Sequence, residues 1–267
     1  MKNIIYIISI LFLVVSCTEK IDIDLNSSDP QIVIEGSVST NEVTIIKLSN
    51  SVNFDESNTF PKVEGAIVEL SDNLGHAEML HELSPGMYST STLTGVVGGV
   101  YSLSVQKDGK ILKSTSTIPN QVAFDTLIII KTDETGGGGP GGMGKSSTHD
   151  LVVGYFDPAD EVNYYRFVEL VNGKMISSYV FDDRITNGSY TRNPLISFDR
   201  TLTNGDTLQV IMQCIDENIY DYFSSFGNLM GGPGNSSTPA NPYTNIEGGV
   251  LGYFSAHTGE VKQVIIQ

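Results

Sequence analysis

The chain has 267 residues, 40% of them hydrophobic and 17% charged, with 27 Gly, 10 Pro, 2 Cys and no Trp. At about 100 to 200 residues per domain, that length gives one large or two modest domains, each able to bury a core, and excludes wholesale disorder. With 15 Lys and Arg against 31 Asp and Glu the formal charge is −16, which repels phosphate backbones and anionic headgroups, so nucleic acid and polybasic membrane attachment are both excluded as modes of binding.

Met1 and Lys2 precede an apolar run from Ile4 to Val15. The run suits the hydrophobic region of a secretory signal and falls short of the roughly 20 apolar residues that span a bilayer. Val14-Val15-Ser16-Cys17 looks like a bacterial lipobox. Residues 1–16 are therefore read as a lipoprotein signal peptide and Cys17 as the lipidated first residue of the mature chain. Two or more acyl chains, at about 0.8 kcal/mol per buried methylene, anchor a protein stably, so the expectation is a protein held on a membrane surface without crossing it. Losing Lys2 with the signal leaves 14 basic against 31 acidic side chains, formally −17. Cys214 is then the single thiol, so no internal disulfide can form. It lies in the apolar-alternating run Leu208 to Ile215 with no basic neighbour to lower its pKa, and is read as a core filler rather than a nucleophile.

Residues 17–30 are acidic and read as a tether. Asp22, Asp24 and Asn26 have the opening spacing of a calcium loop, but Ser27 replaces the turn glycine and Val33 the bidentate glutamate, so no calcium site is expected.

From residue 31 the hydrophobic period becomes two, with turn residues every eight to twelve positions, the pattern of an all-β sandwich. Strands are predicted at Gln31 to Ser37, Thr44 to Ser49, Ala66 to Leu70, Ala77 to Glu82, Gly86 to Ser89, Tyr101 to Gln106 and Lys110 to Thr117. Asp72-Asn73-Leu74-Gly75 and Lys107-Asp108-Gly109-Lys110 suit hairpin turns, because Asn, Asp and Gly tolerate positive φ. These predict an immunoglobulin-like or transthyretin-like sandwich over residues 31–119, ended by Pro119.

A second β domain is predicted over residues 120–267. Its strands are expected at Val122 to Lys131, Asp150 to Phe156, Tyr164 to Val171, Lys174 to Val180, Leu195 to Asp199, Thr207 to Ile215, Gly249 to Ala256 and Gly259 to Ile266. One short helix is expected near 216–226, where Asp216 can cap and Ile219, Tyr222, Phe223 and Phe226 recur at helical spacing. Two Gly-rich stretches flank this scheme, Thr135 to Gly144 and Gly227 to Asn245. Such composition predicts mobile loops, and long loops on a rigid sandwich are often functional; disorder without function stands equally open for both. Gly139 and Gly144-Lys145-Ser146 match a P-loop by letters, but a strand follows where the motif needs a helix, so a phosphate cradle is rejected.

Taken together, several motifs resemble the domain-of-unknown-function 4249 family, lipoproteins of Bacteroidota. They are the lipobox cysteine with its acidic tether, Cys17 to Leu25; Ile32-Val33-Ile34-Glu35-Gly36; Val63 to Leu70; Gly86-Met87-Tyr88; Gly98 to Leu103; Phe156-Asp157-Pro158 with Asn163-Tyr164-Tyr165; and Asn245 to Phe254. The resemblance covers nearly the whole chain. It implies a lipid-anchored, surface-exposed outer-membrane lipoprotein acting as the partner of a TonB-dependent transporter in nutrient uptake. A structural or adhesive surface lipoprotein is the alternative. The resemblance also brings Asp125-Thr126-Leu127 and Asp206-Thr207-Leu208 into view as Asp-Thr-aliphatic triplets of the kind O-glycosylated in such bacteria, although strand threonines explain them as well.

The residues do not argue for an enzyme, a cofactor or a metal. His76, His81, His149 and His257 are scattered without ligand spacing, no Gly-x-Ser-x-Gly elbow is present, and the carboxylate pairs Asp133-Glu134, Asp182-Asp183 and Asp216-Glu217 suit solvated faces. The aromatic group Tyr155, Phe156, Tyr164, Tyr165 and Phe167 suits a core by alternation and a ligand platform as the competing use. Candidate contacts to a partner or ligand are Tyr220, Tyr222, Phe223 and Phe226 of the helix, with Met143 and Met230 in the Gly-rich stretches; these loops are expected to share one end of the second domain, with the helix aromatics between them.

Overall fold

A strand that alternates apolar and polar residues must bury one face, and in the computed structural model sheets pack face to face to do so in two separate places. The structure describes residues 29–40, 42–53, 56–57, 59–132, 148–197, 200–229 and 241–267. In chain order the elements are β1 (Ile32–Ser39), β2 (Val43–Asn50), β3 (Ile67–Asp72), β4 (Ala77–Met79), β5 (His81–Ser84), β6 (Met87–Thr94), β7 (Val100–Lys107) and β8 (Lys110–Thr117), then β9 (Thr126–Lys131), β10 (His149–Phe156), β11 (Tyr164–Val171), β12 (Lys174–Asp182), β13 (Tyr190–Leu195) and β14 (Thr207–Ile215). The helix α1 (Glu217–Leu229) follows, and β15 (Ile246–Glu247), β16 (Leu251–His257) and β17 (Glu260–Ile265) close the chain. The protein is mostly β with one short helix among the described residues, as the alternation predicts.

The first sandwich faces a sheet of order β16-β1-β2-β6-β5 against one of order β15-β8-β7-β3-β4. Its core includes Ile34, Ile46, Leu48, Leu70, Tyr88, Tyr101 and Phe254. The second faces β13-β10-β9 against β12-β11-β14-β17, around Phe124, Tyr155, Tyr165, Phe167 and Met212.

The expected division at residue 119 is corrected by the last strands. β16 runs parallel to β1, pairing Val33 with Leu251 through to Ser39 with His257, and β15 adds to β8. Ile246, Val250, Phe254 and Ala256 therefore belong to the first core, not to a second domain spanning all of 120–267. Parallel strands need a long crossover; here everything from β2 to β15 lies between the two strands, including all of the second sandwich except β17. β17 then returns to the second sandwich and pairs with β14.

Two further expectations change. The run Ala77 to Glu82 is not one strand: β4 joins β3 while β5 joins β6 in the facing sheet, and the chain crosses at Leu80, which is buried. The carboxylate of Glu78 holds this corner by accepting from the Ser91, Thr92 and Leu93 backbone amides and the Thr92 hydroxyl. The strand expected at Leu195 to Asp199 instead ends at Leu195, and β13 begins at Tyr190. It lies at a sheet edge, where Pro194 costs no ladder bond that the sheet needs. The helix is as expected, with Asp216 as its cap, the carboxylate accepting from the Ile219 amide at 3.0 Å; it starts at Glu217 and runs on to Leu229. Hairpin chemistry is as predicted at Asp108 and Gly109, both at positive φ (49° and 76°).

Candidate functional site

The helix face singled out from sequence lies in the seam between the sandwiches. The first carboxylate oxygen of Asp216 caps α1, and the second accepts from the Ser116 hydroxyl at 2.5 Å and the Thr117 amide at 3.0 Å, at the end of β8. One side chain thus fixes the start of the helix to the first sandwich. From there the helix runs against β11, β12 and β16.

Phe223 touches both halves. The Arg166 guanidinium of β11 stands 3.8 Å over its ring, and the Tyr253 ring of β16 is 5.0 Å from it. Tyr222 meets Tyr253 at 4.9 Å and Phe226 at 6.4 Å, the latter stacked. Tyr220 packs on Tyr164 at 5.1 Å and donates to Asp182 at 2.8 Å. Tyr220, Tyr222 and Phe223 are half-buried, and Phe226 is 44% exposed. Of the helix aromatics proposed from sequence, three are chiefly packing residues and Phe226 presents the open face. Cys17, Met143, Met230 and most of both Gly-rich stretches lie outside the described residues.

Arg166 and Tyr253 were missed in the sequence, where an arginine inside an aromatic alternation and a tyrosine well past the end of the helix carry no joint signal. Arg166 has no ion-pair partner among the described residues. It donates to Ser178 Oγ at 3.0 Å and to Gln213 Oε1 at 3.2 Å. Burial lowers its pKa from the usual arginine value, since the charged form is the one that loses hydration. Facing aromatic rings offset part of that loss through their negative faces. Burial likewise pushes the Tyr222 phenol up to about 12 and raises that of Tyr253. The polar chain continues from Gln213 to His257 Nε2 at 3.2 Å, and His257 Nδ1 lies 2.9 Å from the Thr258 carbonyl. Burial holds His257 down to about 4, so it is neutral, donating through Nδ1 to that carbonyl and accepting through Nε2 from the Gln213 amide.

The motifs quoted from sequence acquire structural reasons. Ile32 to Gly36 and Gly252 to Phe254 are the two sides of the parallel β1–β16 ladder. Gly252 sits at φ +99°, and a Cβ there would run into the Ile34 carbonyl oxygen. Asp157 accepts from the Tyr165 hydroxyl and, at 3.2 Å, from the Gly188 amide, while Asp183 accepts from the Asn163 amide at 2.8 Å. Phe156-Asp157-Pro158 and Asn163-Tyr164-Tyr165 therefore lock the loop before β11 to the loop before β13. Tyr155, Tyr165 and Phe167 stack in the second core, with Tyr155 4.5 Å from Tyr165 and 5.8 Å from Phe167, so alternation accounts for them; Phe156 faces out at 57% exposure. Cys214 is buried, and burial raises its pKa. Thr126 and Thr207 are half-buried first residues of β9 and β14.

His76 is tied to Asp72 at 2.7 Å in the β3–β4 turn, His81 opens β5 in the facing sheet, and His149 and His257 are buried. No group of three or more metal-ligating side chains occurs among the described residues. No helix among them is long and apolar enough to cross a membrane.

Fold and seam together define an all-β protein of two interlocked sandwiches, stapled by one aromatic helix. The chain belongs to the family described as Domain of unknown function (DUF4249), whose model matches residues 18–263. No curated protein matches it.

Proposed function

We propose that the protein is an outer-membrane lipoprotein anchored through Cys17 and exposed at the cell surface, a non-enzymatic binding or lid partner of a TonB-dependent transporter. The observation that carries the reading is the lipobox Val14-Val15-Ser16-Cys17, which precedes the first described strand in the sequence. Membership in the family supports it through the association the sequence resemblance implies. The seam supports it physically: α1 bonds to β8 of the first sandwich through its cap and packs Phe223 between Arg166 of the second and Tyr253 of the first, so the two halves are held together. Phe226, flanked by Tyr222, is the aromatic group such a partner would cover.

Detergent extraction of the tagged full chain from its native host tests the reading. A β-barrel transporter is expected to co-purify with the wild type, and the Cys17→Ala protein to be lost from the membrane fraction, while Phe226→Ala keeps the anchor and weakens co-purification. A protein that labels with a palmitate analogue but purifies alone, with uptake unchanged on deletion, favours the adhesive reading instead.

A further inference from the structure

We propose that the outer face of the β15-β8-β7-β3-β4 sheet is a binding trough for a neutral oligosaccharide. The inference deepens the function proposed above by naming a ligand class, and rests on it only for where the ligand is met. The trough encloses about 710 Å³, within the 300 to 1,000 Å³ usual for small-molecule clefts.

Its shape follows from side-chain length at fixed register. Glu69, Ser104, Lys113 and Glu247 stand side by side across β3, β7, β8 and β15, and Ser71, Ser102 and Thr115 form the next row. The short hydroxyl side chains make the floor along β7, while Glu69, Lys113 and Glu247 rise around it. The wall comes from the seam: Tyr243 donates its hydroxyl to Asn218 Oδ1 of α1 at 3.3 Å and its backbone amide to Ser225 Oγ at 3.1 Å. Held at both points and 49% exposed, its ring stands preset beside the polar floor.

The chemistry selects the ligand. Lys113 and the Asn218 amide nitrogen offer donors, Glu69 and Glu247 offer acceptors, and the serine hydroxyls do both. Glu69, Ser71, Ser104, Lys113 and Glu247 spend no side-chain hydrogen bond on any described residue, so these groups are available. A sugar ring carries hydroxyls that each donate and accept, at spacings that neighbouring strands about 4.8 Å apart can bridge, and it has an apolar face for one tyrosine. Two carboxylates against one ammonium disfavour polyanions, and the hydroxyl floor disfavours lipids. The outer face of the β13-β10-β9 sheet makes the contrast: there Ile130 and Phe156 are exposed at 50% and 57%, so a polar concavity is not the default for this molecule.

The test uses the full chain in detergent micelles on an array of short neutral and uronic oligosaccharides, with maltotetraose, cellotetraose and mannotetraose titrated individually by calorimetry. A neutral sugar is expected to bind, and Lys113→Ala and Tyr243→Ala each to weaken it about tenfold or more. Ile111→Ser, on the same sheet beyond the trough, should bind as wild type does, and circular dichroism should report native folding for all three variants. Tyr243→Phe keeps the ring and is expected to retain more affinity than Tyr243→Ala. No binding by a folded wild type, a preference for uronic sugars, or equal binding by the trough variants would overturn the site. Trough variants that lose sugar yet still co-purify with a transporter support both proposals separately; sugar binding without any transporter defeats only the earlier one.

Discussion

The second sandwich buries an ion pair. Arg200 and Glu169 are 1% and 0% exposed, joined by bonds of 2.5 and 2.7 Å, with further Arg200 donations to the carbonyls of His149 and Leu195 and to the Tyr179 hydroxyl. Removing one partner strands a charge in the core, so Glu169→Ala is expected to cost about 3–5 kcal/mol, read by urea denaturation; a change under about 1 kcal/mol would place this pair with solvent-screened ones. Protonation behaves in a similarly local way. Burial brings His257 from the ordinary 6.5 to about 4, so between those values the unfolded chain takes a proton that the folded one refuses, and stability present above 6.5 drains as pH falls toward 4. Glu78 adds a lower window. Burial opposes its ionisation, but bonds from Ser91, Leu93 and Thr92 outweigh that and bring it from 4.5 to about 2, so its contribution is present above 4.5 and is lost as pH falls through 2. The melting temperature of wild type should therefore fall from pH 6.5 downward, and His257→Gln should flatten the part of the curve between 6.5 and 4. An unchanged slope there would show that His257 is not the group responsible. Neither residue was legible as special in sequence: His257 reads as one histidine among four, and its neutrality comes from burial, with the nearby Arg166 charge, which only folding supplies.

At the scale of elements, the alternation in β1, β7, β8, β11 and β14 is enough to predict each of them and its buried face, because a period of two leaves one choice of core side. It fails where a strand is short or shared. Ala77 to Glu82 reads as one run, yet Leu80 turns inward and the chain changes sheets there. β13 and β15 have too few apolar residues to announce themselves, and pair only because an edge is waiting. The helix was legible, since its cap and its spacing are local, but its aromatics point into a seam that no local pattern describes. Asp216→Ala should therefore cost more than the 0.5–2 kcal/mol of an ordinary cap, because it also frees Ser116 and Thr117. Thermal melting of Asp216→Ala beside Asp216→Asn would separate the two contributions. Gly252→Ala belongs here too. Its positive φ and the Ile34 carbonyl in the path of a Cβ predict disruption of the β1–β16 ladder, to be read as faster amide exchange from Val33 to Gly36 than elsewhere in the protein.

For the whole molecule, the returning strands decide what counts as a unit. A chain cut after Pro119 lacks β15, β16 and the buried residues Ile246, Val250, Phe254 and Ala256, leaving Ile34 and Val38 without their cover. Residues 29–119 alone are expected to remain unfolded by circular dichroism, and a version with residues 244–257 joined through a flexible linker to fold cooperatively. Cooperative folding of the short piece would return the boundary to where the sequence pattern suggests it. Composition, alternation, turn chemistry and one capped helix were determined by the sequence itself, because each depends on residues a few positions apart, and its ordered motifs were enough to mark the family. Which sandwich the last strands join, how Arg166, Phe223 and Tyr253 meet, and where short serines and a braced tyrosine leave a hollow depend on pairings between residues far apart in the chain. Only the closed tertiary structure decides these, since the energy of such contacts exists only once both partners have been brought out of water together.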